Sequence, residues 1–151
     1  MIKKALLGGA AVVAALAVAV AVLYATNGTP AVAAVSAAEV ANPTKPFVVK
    51  LHAQWCPICR LTKGVWSEIA AGYGEQVNLV VLDFTDEATT EASRAEAARL
   101  GLAEYFEEHS GWTGTISVLD AATKTVIADL HGSRDLAEYR AAIDTALQAA
   151  R

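Results

Sequence analysis

The sequence predicts an α/β domain in which a mixed sheet carries helices on both faces, in the order β-α-β-α-β-β-α. Three observations predict it. Short runs rich in β-branched residues recur between positions 47 and 130. Segments whose apolar residues step by three and four lie between and after them. The first strand, helix and strand follow one another directly, which normally gives two parallel strands joined by a right-handed crossover.

Phe47-Val48-Val49-Lys50-Leu51-His52 is the first strand. Ile58, Leu61, Val65, Ile69 and Tyr73 then trace one face of a helix, which Gly72 and Gly74 end. Val77 to Leu82 is nearly all apolar and reads as a central strand covered on both faces. An acidic, Ala-rich stretch runs from Thr85 to His109; Ser93 and Glu96 have capping-box spacing, and Gly101 breaks the helix before a shorter one at 102–108. Thr115 to Leu119 and Thr125 to Leu130 are two more strands, and residues 120–124 between them suit a hairpin. Ser133 is the expected N-cap of a last helix with Leu136, Tyr139, Ile143 and Leu147 on its apolar face.

The N-terminus is of another kind. No charged residue stands between Lys4 and Glu39. The apolar run from Ala5 to Ala25 matches the roughly 20 residues a helix needs to cross a bilayer. Lys3 and Lys4 precede it, so the positive-inside bias leaves the N-terminus in the cytoplasm and sends the rest across. Residues 1–25 are thus expected to be a transmembrane anchor. The alternative is a secretory signal sequence, with Ala31-Val32-Ala33 as a possible cleavage site. Residues 26–44 are Ala-rich, carry Pro30 and Pro43, and read as a tether; residues 45–151 form the domain. The expected location is the cytoplasmic membrane, single-pass, with the domain on the periplasmic or extracellular side, or secretion if the leader is cleaved. Apart from Lys3 and Lys4 the chain has 10 basic against 16 acidic residues, which argues against nucleic acid or anionic lipid as partners.

Both cysteines fall in Trp55-Cys56-Pro57-Ile58-Cys59-Arg60, where a strand hands over to a helix. Cys56 is expected at the N-cap and Pro57 at the first helical position, where its missing N–H costs nothing. Free backbone N–H groups and the helix dipole then point at the Cys56 sulfur and favour its thiolate. Cys59, one turn on, is expected to be the less exposed, resolving thiol. Trp55 would shield the apolar side of the site, and Arg60 adds positive charge. A bridge across so short a loop gains little as a structural staple, which favours a redox pair.

From Lys45 to Ala150 the chain resembles the thioredoxin family. The resemblance rests on Ala53-Gln54-Trp55-Cys56-Pro57-Ile58-Cys59 after a strand, on the element order and on Gly132 before the last helix. It implies a thioredoxin-like fold and a membrane-tethered or exported thiol–disulfide oxidoreductase. Its partners would be protein dithiols and disulfides, with a membrane thiol reductase or oxidase as a possible electron source or sink. No Gly-rich phosphate loop or dinucleotide fingerprint is present, so no organic cofactor is implied. The sequence departs from the family in three places. The inner dipeptide is Pro57-Ile58, not Gly-Pro. Ile116 is expected where the family keeps a cis-proline facing the disulfide. Lys50, six residues before Cys56, stands where the family has a buried aspartate that moves protons for the second cysteine. The default reading is that Lys50 snorkels its ammonium to water; desolvated, it would instead stabilise thiolate.

Two other readings remain at this point. His52, four residues before Cys56, would complete with Cys56 and Cys59 a copper or zinc module. A non-catalytic thioredoxin-like scaffold is the third possibility. Asp83 is a candidate for proton transfer, with a solvated loop carboxylate as its default. Trp112 is a candidate substrate contact, Trp66 a packing residue, and His109 and His131 structural or exposed side chains.

Overall fold

The computed structural model describes residues 42–151. The expected anchor or signal at 1–25 and most of the 26–44 tether lie outside the described residues. Among the described residues no helix is long and apolar enough to cross a membrane.

The described chain runs β1 (Phe47–His52), α1 (Pro57–Leu61), α2 (Lys63–Tyr73), β2 (Asn78–Asp83), α3 (Glu87–Arg99), α4 (Ala103–Glu108), β3 (Thr115–Leu119), β4 (Val126–His131) and α5 (Leu136–Ala149). The strands form one four-stranded sheet in the order β2-β1-β3-β4. β1 and β2 are parallel, with Lys50 opposite Val81. β3 runs antiparallel to β1, with Ile116 opposite Lys50, and β4 antiparallel to β3. The mixed sheet, the crossover and the hairpin are those the sequence predicts.

Strand alternation splits the core into two layers. Phe47, Val49 and Leu51 face α3 and α4 and pack with Leu82, Leu102 and Phe106. Val48 faces α2 and α5 and packs with Ile69, Ile116, Val118, Tyr139 and Ile143. Each fully buried side chain of this size contributes about 1.5–3 kcal/mol.

Several boundaries differ from the sequence expectation. The first helix is two pieces that meet at Thr62, whose hydroxyl donates to the carbonyls of Ile58 (3.2 Å) and Cys59 (3.3 Å). A threonine bonded back into its own helix in this way commonly bends it. α3 starts well before Ser93: Asp86 is its N-cap, in a capping box with Thr89. Ser93 sits mid-helix and ties α3 to β2 instead, donating to the Asp83 carbonyl and accepting from the Asp83 N–H (2.7 Å). Asp135, not Ser133, caps α5; the Ser133 hydroxyl donates to Glu138. β2 is an edge of the described sheet with Val81 exposed, not the central strand its apolar run suggested. Gly101 does break the helix as expected, at φ +74°.

Candidate functional site: the Cys56–Cys59 pair

The pair sits at the C-terminal end of β1, the edge where α/β sheets place reacting groups. Cys56 is extended (φ −76°, ψ 115°) and caps α1, and Pro57 opens the helix, as the sequence predicts. The Cys59 N–H donates to the Cys56 sulfur at 3.1 Å. The Cys59 thiol points inward and donates to the Leu51 carbonyl at 3.7 Å. Both cysteines are free thiols.

Exposure does not distinguish them: each is 2% exposed, so the expected difference is absent. Electrostatics does. Burial pushes the Cys56 thiol up, but hydrogen bonds from the Cys59 thiol, the Thr113 hydroxyl and the backbone N–H groups of Cys59 and Ile58 outweigh it and bring Cys56 below its ordinary value. Cys59 goes the other way, to about 11. Burial raises it most, its hydrogen bond to Cys56 and the charge of Cys56 add to the rise, and the Ala53 N–H and Lys50 oppose it. The pair is thus one ready thiolate beside one reluctant thiol.

The loop that carries Cys56 is held from β2. Asp83 accepts from the N–H (2.8 Å) and hydroxyl (2.5 Å) of Thr85. The Thr85 hydroxyl accepts from the Gln54 N–H (2.9 Å), and its carbonyl from the Trp55 indole (3.1 Å). Asp83 therefore props the loop and has no contact with the sulfurs. Trp55 does not cover the site as a shield; it is 60% exposed, pinned by its indole N–H. Arg60 is exposed on α1.

The opposite wall corrects another expectation. Ile116 does not stand at the cysteines. It is fully buried in β3, paired with Lys50 and Leu130, in the α2–α5 layer. Gly114, just before β3, takes the facing position at φ +93°. A Cβ there would lie 3.6 Å from the Cys56 sulfur and 2.6 Å from Ile58 Cγ2, so only glycine fits both the backbone angle and the space. Gly132, at φ +68°, bonds through its N–H to the Gly114 carbonyl (3.1 Å), and a Cβ on it would meet the same Ile58 methyl at 3.2 Å. Ile58 of the inner dipeptide fills the volume that side chains on the two glycines would claim. The described residues contain no cis peptide bond.

Lys50 departs from its default. It keeps only 7% of its exposure, and its Nζ lies 5.7 Å from the centre of the Trp66 ring of α2. Trp66 is the packing residue expected. His52 does not join the cysteines as a ligand; among the described residues no three His, Cys, Asp or Glu side chains are placed to hold an ion. Its Nδ1 is buried without a hydrogen-bond partner. Trp112 is 58% exposed beside Thr113, with its ring edge on His109 (5.7 Å). His109 is structural, set between the Tyr105 carbonyl (3.0 Å) and Asp129 (3.2 Å). His131, at the exposed end of β4, meets the Thr115 hydroxyl at 3.0 Å.

Sequence reasoning missed Thr85, Thr113 and Gly114. Gly114 had a legible signal: a glycine immediately before the strand that must pass the cysteines. The two threonines had none, because their partners lie far away along the chain.

Residues 31–98 match the family model described as Thioredoxin. No curated protein matches the chain. Among solved structures, one titled as the structure of a malarial protein is 22% identical, with 68% of this chain and 98% of that chain covered and a TM-score of 0.47. MTB dsbF, in mixed oxidised and reduced forms, is 21% identical over 69% of this chain and 81% of that one, at 0.45. A thiol:disulfide interchange protein of the thioredoxin family from Chlorobium tepidum TLS is 18% identical over 70% and 81%, also at 0.45.

Proposed function

From the premise that this chain carries a thioredoxin-like domain with a CxxC-type pair, we propose that it is a dithiol–disulfide exchanger acting on protein partners outside the cytoplasm. One observation carries the reaction: two thiols a turn apart, one lowered and one raised in pKa, with the backbone N–H of the second donating to the sulfur of the first. The Cys56 thiolate attacks a partner disulfide; a bond forms between Cys56 and one partner sulfur, and the other leaves as a thiolate that takes up a proton. Cys59, deprotonated, then attacks the Cys56 sulfur. The Cys56–Cys59 disulfide closes and the second partner sulfur leaves. Two electrons pass from this chain to the partner, and the steps run backwards when the partner is the dithiol.

The location is supported by the uncharged Ala5–Ala25 run behind Lys3 and Lys4, which suits a single-pass anchor or an export signal. A membrane thiol reductase or oxidase is the matching electron donor or acceptor. The test is disulfide exchange by the purified chain with a model protein disulfide, beside Cys56→Ser and Cys59→Ser variants. Cys56→Ser should abolish exchange. Cys59→Ser should trap a mixed disulfide through Cys56. Unchanged function in the Cys56→Ser variant would leave a scaffold in place of an exchanger.

A further inference from the structure

Lys50 belongs to the site, and the exchange reaction as written leaves it without a task. β1 turns it onto the same face as Val48, beneath the helix that carries Cys59. It lies mid-sheet between Val81 of β2 and Ile116 of β3, which bring no charge. The titratable groups that face it are Cys56 and Cys59 around α1, Lys63 of α2 and, two residues along β1, His52. No carboxylate is among the groups acting on it, and Lys63 has the same sign.

A lysine that is 7% exposed loses most of its hydration. Burial lowers its pKa; the charges of Cys59, then Cys56, raise it again. The coupling is reciprocal at Cys59, where Lys50 is the one side chain that favours the thiolate. The cation therefore has as negative partners two sulfurs that carry charge only while the pair is reduced.

We propose, as a deepening that rests on the exchanger reading, that Lys50 is the proton partner of the resolving thiol and acts through Cys59 as a positioning residue. As Cys59 deprotonates to attack the mixed disulfide, its proton is balanced by an ammonium at Lys50. The new bond joins Cys59 to Cys56, and the broken bond releases the partner sulfur as thiolate. With no thiolate left beside it, Lys50 gives up its proton to the departing sulfur or to solvent. Reduction of the pair reverses the transfer, so closing and opening the disulfide is coupled to one proton at this lysine. The sign is opposite to that of a buried carboxylate at the same place, which would oppose the Cys59 thiolate until protonated.

Two readouts test it on the full chain. The first is the alkylation rate of Cys59 at neutral pH in a Cys56→Ser background, which follows its thiolate fraction. Lys50→Met should lower that rate by about tenfold, the equivalent of one pKa unit, while Lys50→Arg should hold it within about twofold by keeping the charge. An unchanged rate in a folded Lys50→Met chain overturns the proposal. The second is the redox potential of the intact pair against pH. Lys50→Arg, charged at every accessible pH, should flatten the dependence by removing the proton taken up at Lys50, and an unaltered dependence overturns the proposal even if the methionine variant fails to fold. Alkylation needs no redox partner. A chain that shows the Cys59 shift but exchanges no disulfides would sink the exchanger and leave the coupling; one that exchanges disulfides with no shift would sink the coupling alone.

Discussion

On the α3–α4 face of the sheet, buried polar side chains end on one another. The Tyr105 hydroxyl donates to Ser117 (2.7 Å), Ser117 donates to Asp129 (2.5 Å), and His109 closes the group between Asp129 and the Tyr105 carbonyl while stacking on the Tyr105 ring at 4.2 Å. On the α2–α5 face, beneath the cysteines, the polar groups of β1 lack such partners. Lys50 has an aromatic ring and two sulfurs, and the His52 Nδ1 is buried without a bond. Both faces keep a polar group in the dry interior, and only one satisfies it. A satisfied network fixes a core and has one arrangement. An unsatisfied group stays poised to change its charge when its neighbours do, which is what a redox site needs and a core does not tolerate.

The largest effect that would sharpen this contrast is a pH dependence of the reduced protein. Cys59 titrates at about 11 in the folded chain against 9.0 for an ordinary thiol. The unfolded chain therefore loses this proton first as pH rises, and stability falls from about pH 9 to about pH 11 by roughly 2–3 kcal/mol. Lys50 works against the loss, because its lowered pKa makes the unfolded chain hold that proton longer. Denaturant midpoints of the reduced wild type and of Cys59→Ser, compared across that range, isolate the thiol. The wild type should fall more steeply, and parallel curves would show that Cys59 is not held as a buried thiol.

Ser117→Val attacks the other face. It leaves the Tyr105 hydroxyl, in a ring buried to 4% exposure, without its acceptor, and it takes a donor from Asp129. A buried group stripped of its partner costs about 1–3 kcal/mol. Thermal unfolding should show that loss, while the alkylation rate of Cys56 stays as it was. A parallel fall in Cys56 reactivity would mean that the two faces are one unit.

The mixed sheet and the place of the cysteines were legible because they rest on local signals: β-branched runs, helical spacing, a proline at the first helical position. Asp86 and Asp135 displaced the expected Ser93 and Ser133 because several nearby polar residues can cap a helix, and the chain's path into the turn chooses among them. β2 reads as a central strand because Val77 to Leu82 is apolar, but which strand pairs on its far side is a tertiary fact. The wall facing Cys56 was misplaced by two residues, from Gly114 to Ile116, because a strand's start is its least determined feature. The burial of Lys50 was out of reach for a related reason. Its neighbours Val81, Ile116 and Trp66 come from three other elements, and no window around position 50 contains them.

Thr113 gives the smallest effect and the finest test of the contrast. Its hydroxyl hydrogen-bonds the Cys56 sulfur and helps hold that thiol below its ordinary pKa, yet the residue lies just ahead of β3, outside the polar network of the other face. Valine has nearly the same shape and no donor. Thr113→Val should therefore raise the Cys56 pKa and slow its alkylation at neutral pH by about three- to tenfold, the span of a half to one pKa unit. Stability of the reduced chain should change by no more than about 1 kcal/mol, since the sulfur keeps its backbone donors from Cys59 and Ile58. A loss of stability with unchanged thiol reactivity would place Thr113 with the structural polar groups. A loss of reactivity alone places it with Lys50, among the groups that the fold holds near the sulfurs to set their charge.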